Sequence, residues 1–224
     1  MSNNPQLLFV AGPNGAGKST FSKELSEPGA IIFDVDKVIA RIEALTPSIP
    51  KKQVYDAATQ EFFDQANEAI RLKQHFTLET NFRDKELVDI AGQFKRFGYT
   101  TNMVYLALES VEQSTVRVNK RVLDGGHFVD RKNILLNYNE GLQYLERYAD
   151  RFDNLEIIDA SRSIGEFELK LKIEQQQLVY ISEDLPVRLK QTIIGIAGRF
   201  KDNSRDEDND EEQGWDYSLG ACRT

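Results

Sequence analysis

A single cysteine, Cys222, in 224 residues leaves the chain without the thiols for a disulfide framework or a thiolate metal cluster. Histidine is almost as scarce, with only His75 and His127, and their separation offers no zinc spacing. No apolar run approaches the roughly 18 residues needed to cross a bilayer. The opening Met1-Ser2-Asn3-Asn4-Pro5 has neither the charged nor the apolar region of a secretory signal, so a cytoplasmic protein with no membrane partner is expected. An excess of positive charge is missing too. The net charge is −8, which argues against a nucleic-acid backbone as the main partner. The acids concentrate late in the chain, where seven of them lie between 201 and 212 against only Lys201 and Arg205. Such a run repels itself and buries little apolar surface, so 1–200 reads as one α/β domain and 201–224 as a solvated acidic tail. Trp215 and Tyr217 would be the anchors if that tail served as a docking segment.

What the chain does contain is Gly12-Pro13-Asn14-Gly15-Ala16-Gly17-Lys18-Ser19, a full match to G-x-x-x-x-G-K-[ST]. A chance match in a chain of this length is on the order of one in a hundred. The apolar run Leu7–Ala11 precedes it and a helix-compatible stretch through Thr20 and Phe21 follows, the context a phosphate loop requires. The backbone N–H groups of such a loop close around phosphates at a helix N-terminus, Lys18 reaches the β/γ oxygens, and Ser19 offers a hydroxyl to Mg²⁺. ATP and Mg²⁺ are therefore the expected cofactors.

Short apolar runs alternate with stretches of helical period, the mark of a parallel sheet wrapped by helices. Strands are expected at Gln6–Ala11, Ala30–Phe33, His75–Glu79, Thr100–Leu106 and Leu155–Ile158, a five-stranded parallel sheet of small-molecule-kinase type with a lid. Two helices separated by Pro47 and Pro50 lie between the second and third strands. Further helices are expected at Asp84–Phe97, Val111–Leu123, Arg131–Asp150, Ile164–Gln177 and Leu185–Phe200.

Three constellations carry chemistry. Asp34 and Asp36 follow Ile31-Ile32-Phe33 at the C-terminal edge of the second strand, where open α/β sheets bind ligands. Asp36 is placed to take a proton from an attacking hydroxyl, or to cap a helix starting at Lys37. Glu79-Thr80-Asn81-Phe82-Arg83 ends the third strand beside the phosphate loop, with Glu79 in reach of the metal and Asn81 and Arg83 facing an acceptor. Arg117, Lys120 and Arg121, then Asp124-Gly125-Gly126-His127 and Arg131, suit a lid that lowers guanidinium groups over phosphates; a solvated basic helix face is the alternative.

Taken together, these residues resemble the zeta-toxin family of P-loop kinases in its compact form, over roughly Leu7 to Asp159. The resemblance is carried by Ala11 through Thr20, Phe33-Asp34-Val35-Asp36, Leu78-Glu79-Thr80-Asn81-Phe82, Tyr105 to Ser110, and Arg117-Val118 through Arg121-Val122 to Gly125-Gly126-His127-Phe128-Val129. It implies an ATP- and Mg²⁺-dependent kinase whose acceptor is the amino-sugar hydroxyl of UDP-N-acetylglucosamine or a related nucleotide sugar. Under it Gly12, Pro13, Asn14, Gly15, Ala16, Gly17, Lys18, Ser19, Thr20 and Arg117 hold the nucleotide, and Ser19 and Glu79 the metal. Asp36 is the base, with Lys18, Arg121 and Arg131 as the other catalytic groups. Asp36, Glu79, Asn81, Arg83 and His127 contact the substrate. A toxin role would require a separate antitoxin protein. The chain departs from the family at Asn81, where a Thr is usual, at Asp130, where a Pro is usual, and at Ile134-Leu135-Leu136-Asn137-Tyr138, which lacks an Arg before the Tyr. Other readings remain: a kinase for another hydroxyl acceptor, a non-catalytic ATP-binding regulatory protein, or a transporter ATPase. The last lacks the apolar strand ending in Asp-Glu that such a module needs.

Overall fold

The computed structural model describes residues 4–126, 128–162 and 166–210. Its first strand, β1 (Gln6–Ala11), is apolar and buried on both faces from Leu7 onward, as a central parallel strand must be. Each such leucine, valine or phenylalanine contributes about 1.5–3 kcal/mol by leaving water. The chain continues through α1 (Lys18–Leu25), β2 (Ile31–Asp34), α2 (Val35–Leu45), α3 (Lys51–Leu72), β3 (Phe76–Thr80), α4 (Lys85–Arg96), β4 (Thr100–Ala107), α5 (Val111–Leu123), α6 (Arg131–Tyr148), β5 (Asn154–Asp159), β6 (Glu168–Glu174), β7 (Gln177–Ile181) and α7 (Val187–Asp210). Helix starts follow local chemistry. Asp34, Asp84, Ser110 and Asp130 each cap α2, α4, α5 and α6 by accepting a backbone N–H with the side chain.

The sheet order is β2-β3-β1-β4-β5-β6-β7. The first five strands are mutually parallel, and β6 and β7 add an antiparallel edge. Odd positions of β1 (Leu7, Phe9, Ala11) face a core built with α3, α4, α6 and α7, while Leu8 and Val10 face a smaller one with Phe21 of α1 and Tyr138 of α6. On the larger face Phe9, Phe82 and Phe152 meet edge to face at centroid separations of 5.3–6.2 Å.

The five expected strands are present, each within a residue of its expected ends, but the sheet has seven strands rather than five. The helix expected over Ile164–Gln177 is instead the strand β6. Leu169, Leu171 and Ile173 alternate with Glu168, Lys170 and Lys172, a period of two that only the neighbouring strand makes decisive. The β6–β7 turn, Gln175-Gln176, has both residues at positive φ, 49° and 66°, so the sequence shows none of the Asn-Gly or Gly-Gly that usually marks such a turn. Helix α7 runs to Asp210, ten residues past the expected end at Phe200 and into the acidic stretch. Residues 211–224, with Trp215, Tyr217 and Cys222, lie outside the described residues.

Candidate active site

The phosphate loop joins β1 to α1 at the C-terminal edge of the parallel strands. Gly12 sits at φ 138°, and a Cβ there would lie 2.2 Å from the Leu106 carbonyl oxygen of β4, so only glycine lets the loop leave the sheet this closely. Gly17, at the N-cap of α1, is left-handed and offers no side-chain cap. The first N–H groups of α1 are thereby left without a side-chain acceptor, the arrangement that receives phosphate oxygens. Asn14 is buried behind the loop, where its carbonyl accepts from Ser114 Oγ at 2.6 Å and its Oδ1 from Asn137 Nδ2 at 2.6 Å. The loop is thus braced by α5 and α6.

Two of the expected side chains, Asn81 and Glu79, converge on Lys18 and Ser19. Lys18 Nζ donates to the Gly12 and Pro13 carbonyls at 2.8 and 3.1 Å and to Asn81 Oδ1 at 3.0 Å. Asn81 reaches it because Phe82, fully buried and at φ 51°, turns the chain sharply at the end of β3. Glu79, only 4 % exposed, accepts from Ser19 Oγ at 2.7 Å and from Ser22 Oγ at 2.5 Å. Burial pulls the Lys18 ammonium below the ordinary lysine range, against the opposing charges of Asp36, Glu79 and Asp34. Burial lifts the Glu79 carboxyl above its ordinary range, the Ser22 and Ser19 hydroxyls opposing this and the Asp34 charge adding to it.

Asp34 and Asp36 sit in different environments at the start of α2. Asp34 is the helix cap, accepting from Lys37 N at 3.2 Å, so capping is not the task of Asp36. Burial works against the Asp34 carboxylate, yet the Lys37 amine and amide hold it below the usual carboxylate range. Asp36 is half-buried in the first turn of α2, is the acid that acts most strongly on Lys18, and among the described residues is tied by no hydrogen bond.

The arginines are placed less uniformly. Arg117 lies over the phosphate loop, donating to Gly15 O at 3.4 Å and to the Ser161 and Arg162 carbonyls at 3.4 and 2.6 Å. Arg121, a turn further along α5, is exposed but near enough to lower Lys18, and the Gly126 N–H closes the helix end on its carbonyl at 2.8 Å. Arg131 starts α6 and Arg83 follows Phe82, both exposed, and Thr20 is exposed in the first turn of α1. His127 lies outside the described residues.

Sequence reasoning missed Ser22, Lys37 and Asn137. Lys37 Nζ stands 2.6 Å from Asp34 Oδ2, 3.4 Å from Ser19 Oγ and 3.9 Å from Glu79 Oε1. Its only sequence signal is a spacing of three from Asp34, and Asn137 shows only as a polar residue on the apolar Ile134–Tyr138 face of α6. A cavity of about 350 Å³ adjoins this cluster, lined in part by Asp34, Lys37, Arg41, Glu61 and Glu79. A larger one, about 990 Å³, lies at the opposite ends of the strands among Gln6, His75, Thr100, Asn102 and Asp153, and includes no phosphate-loop residue. Among the described residues no helix is long and apolar enough to cross a membrane.

The fold is shared with solved structures of low sequence identity. The PezAT toxin–antitoxin structure from Streptococcus pneumoniae matches at TM-score 0.56 and 16% identity, covering 95% of this chain and 89% of that one. A chain of the AvrRxo1-ORF1:AvrRxo1-ORF2 complex solved with sulphate matches at TM-score 0.63 and 13% identity, over 85% of this chain and 63% of that one. The same complex with ATP matches at TM-score 0.59 and 12% identity, over 89% and 76%. In sequence, an uncharacterized protein of Haemophilus influenzae is 25% identical over 140 residues, 59% of this chain and 92% of that protein. The α/β fold expected from the motifs, a mostly parallel sheet flanked by helices, is therefore present. A family model described as an AAA domain matches residues 7–137, more than half of the chain, and the protein belongs to that family.

Proposed function

We propose that the protein transfers the γ-phosphoryl group of ATP to a hydroxyl of a small molecule, with UDP-N-acetylglucosamine or a related nucleotide sugar as the leading acceptor. The observation that carries the reading is the convergence of Lys18, Ser19, Asp36, Glu79 and Asn81 at the uncapped start of α1. The residues fit the cofactors. Uncapped N–H groups and a lysine suit a polyphosphate. A hydroxyl and a carboxylate 2.7 Å apart are hard oxygen donors of the kind Mg²⁺ takes, and the Lys37 ammonium already stands beside them as a cation. When bound, the ion would supply charge neutralisation across the transferred phosphoryl oxygens.

The chain's own residues would do the rest. Lys18 neutralises developing charge on the phosphates, and Asn81 aims its ammonium. Arg117 closes the nucleotide end of the loop, and Arg121 adds charge from α5. Asp36 accepts the proton of the attacking hydroxyl, because Asp34 is committed to the cap of α2. Glu79 orients Ser19. Arg83, Arg131 and His127 are assigned to the acceptor and phosphates by the family resemblance alone. The PezAT and AvrRxo1 structures pair a chain of this fold with a second protein, and a separate antitoxin is proposed here on that likeness.

The test is incubation of purified protein with Mg²⁺·ATP and a panel of nucleotide sugars, following products by mass, with Lys18→Ala as control. A Lys18-dependent gain of one phosphoryl group on UDP-N-acetylglucosamine supports the acceptor. ATP binding with no modified sugar would move the search to other hydroxyls or to a non-catalytic ATP-binding role.

A further inference from the structure

The proposed reaction leaves one charged group of the site without a task. Lys37 contacts three members of the cluster, Asp34 at 2.6 Å, Ser19 at 3.4 Å and Glu79 at 3.9 Å, and it belongs to none of the expected roles. Asp34 and Glu79 are register partners on β2 and β3, so their side chains leave the sheet on one face. Two carboxyl groups held together with little water repel each other when both are ionised, and a positive charge beside them relieves that repulsion. Lys18 does not fill that need directly, since its ammonium is bonded to Gly12, Pro13 and Asn81. The Lys37 side chain is 64% exposed whereas that of Glu79 is 4% exposed, so the lysine reaches in from solvent on a flexible stem. The cavity of about 350 Å³ lined by Lys37, Asp34 and Glu79 leaves it room to withdraw.

We infer that Lys37 is a resident counter-ion of the metal position: its ammonium neutralises Asp34 and Glu79 while no divalent cation is bound, and it must leave for one to enter. The inference rests on reading Ser19 and Glu79 as metal ligands. A compact, well-hydrated ammonium on four methylenes suits a cation that has to vacate its place; a guanidinium fork, bonded at two points, would not leave as readily. Divalent-ion loading is then a competition between two cations for the same acids, and the lysine sets the threshold concentration.

The experiment measures Mn²⁺ binding to the full chain by electron paramagnetic resonance, with and without ADP, in the parent protein, Lys37→Met, Lys37→Gln and Glu79→Gln. Without nucleotide, both Lys37 variants should bind Mn²⁺ at least about tenfold more tightly than the parent, because a repelling charge within about 4 Å has gone. Their melting midpoints should fall in EDTA and recover on adding Mn²⁺, while the parent's stays nearly fixed. If the Lys37 variants bind Mn²⁺ no more tightly while Glu79→Gln weakens binding in the ADP complex, the counter-ion role is overturned and the metal assignment stands. If Glu79→Gln binds Mn²⁺ as the parent does in the ADP complex, the metal assignment fails and the inference falls with it.

Discussion

Ser19 and Glu79, 60 residues apart in the chain, meet through a hydrogen bond of 2.7 Å. The contact exists because β3 lies directly beside β1 in register, Val10 opposite Glu79, so the end of one parallel strand delivers a carboxylate to the helix that follows the other. A hydroxyl on α1 and an acid on β3 thereby share one edge of the sheet, the edge at which open α/β folds take their ligands.

Asp36→Asn should keep ATP affinity and lose phosphoryl transfer by about 10²–10⁴-fold, the usual worth of a positioned general base. Equilibrium ATP binding and single-turnover transfer, measured on the same preparation, separate the two. Transfer at the parent rate would remove Asp36 as the base.

Glu79 sets a dependence of stability on pH. Its folded carboxyl titrates above the ordinary 4.5, so the folded state holds that proton more tightly than the unfolded chain. The stability it contributes is complete below about pH 4.5 and is lost as pH rises through the raised value. Asp34 runs the other way: its lowered carboxyl contributes above the ordinary 3.8, and that contribution disappears only as pH falls through the lower folded value. Above pH 4.5 the loss of stability is therefore that of Glu79 and not of Asp34. Glu79→Gln, which cannot ionise, should melt higher than the parent at pH 7, by roughly 2–4 °C for each kcal/mol relieved. The advantage should shrink towards pH 4.5. A lower midpoint at pH 7 would contradict the raised carboxyl.

Asn137→Ala removes the donor that holds Asn14 Oδ1 at 2.6 Å in a buried position. Leaving that acceptor unpaired should cost about 1–3 kcal/mol. ATP affinity should also fall, because Asn14 belongs to the phosphate loop. Part of the loss is offset, since Asn137 Oδ1 is itself buried without a partner among the described residues. Unchanged ATP affinity in a stably folded variant would show that α6 does not brace the loop; denaturant titration and calorimetry supply both values.

Replacing Gln175-Gln176 by Asn-Gly should stabilise the β6–β7 hairpin, net of the hydrogen bond that Gln176 Nε2 donates to the Phe152 carbonyl. Both positions are left-handed, at φ 49° and 66°, where glutamine is strained and Asn-Gly is not. A gain of about 0.5–1 kcal/mol is expected, read as a rise of roughly 1–4 °C in melting midpoint with phosphoryl transfer unchanged.

The sequence alone determined the phosphate loop, the five parallel strands and the residues of the β2 and β3 ends. These are local in origin: a motif whose every position has a steric or electrostatic reason, and apolar runs whose period needs no partner to be read. Only the tertiary structure decided which of two neighbouring aspartates caps α2, because Asp34 and Asp36 are chemically alike and differ only in where the helix begins. It likewise decided that Leu169, Leu171 and Ile173 form a strand, since charged residues alternating with aliphatic ones satisfy a strand face or part of a helix until β5 supplies a pairing edge. Lys37, Ser22 and Asn137 became members of the site in the same way. Their own neighbourhoods mark them only faintly, and their contacts include residues 42 to 123 positions away that the parallel sheet and α6 bring to the same few ångströms.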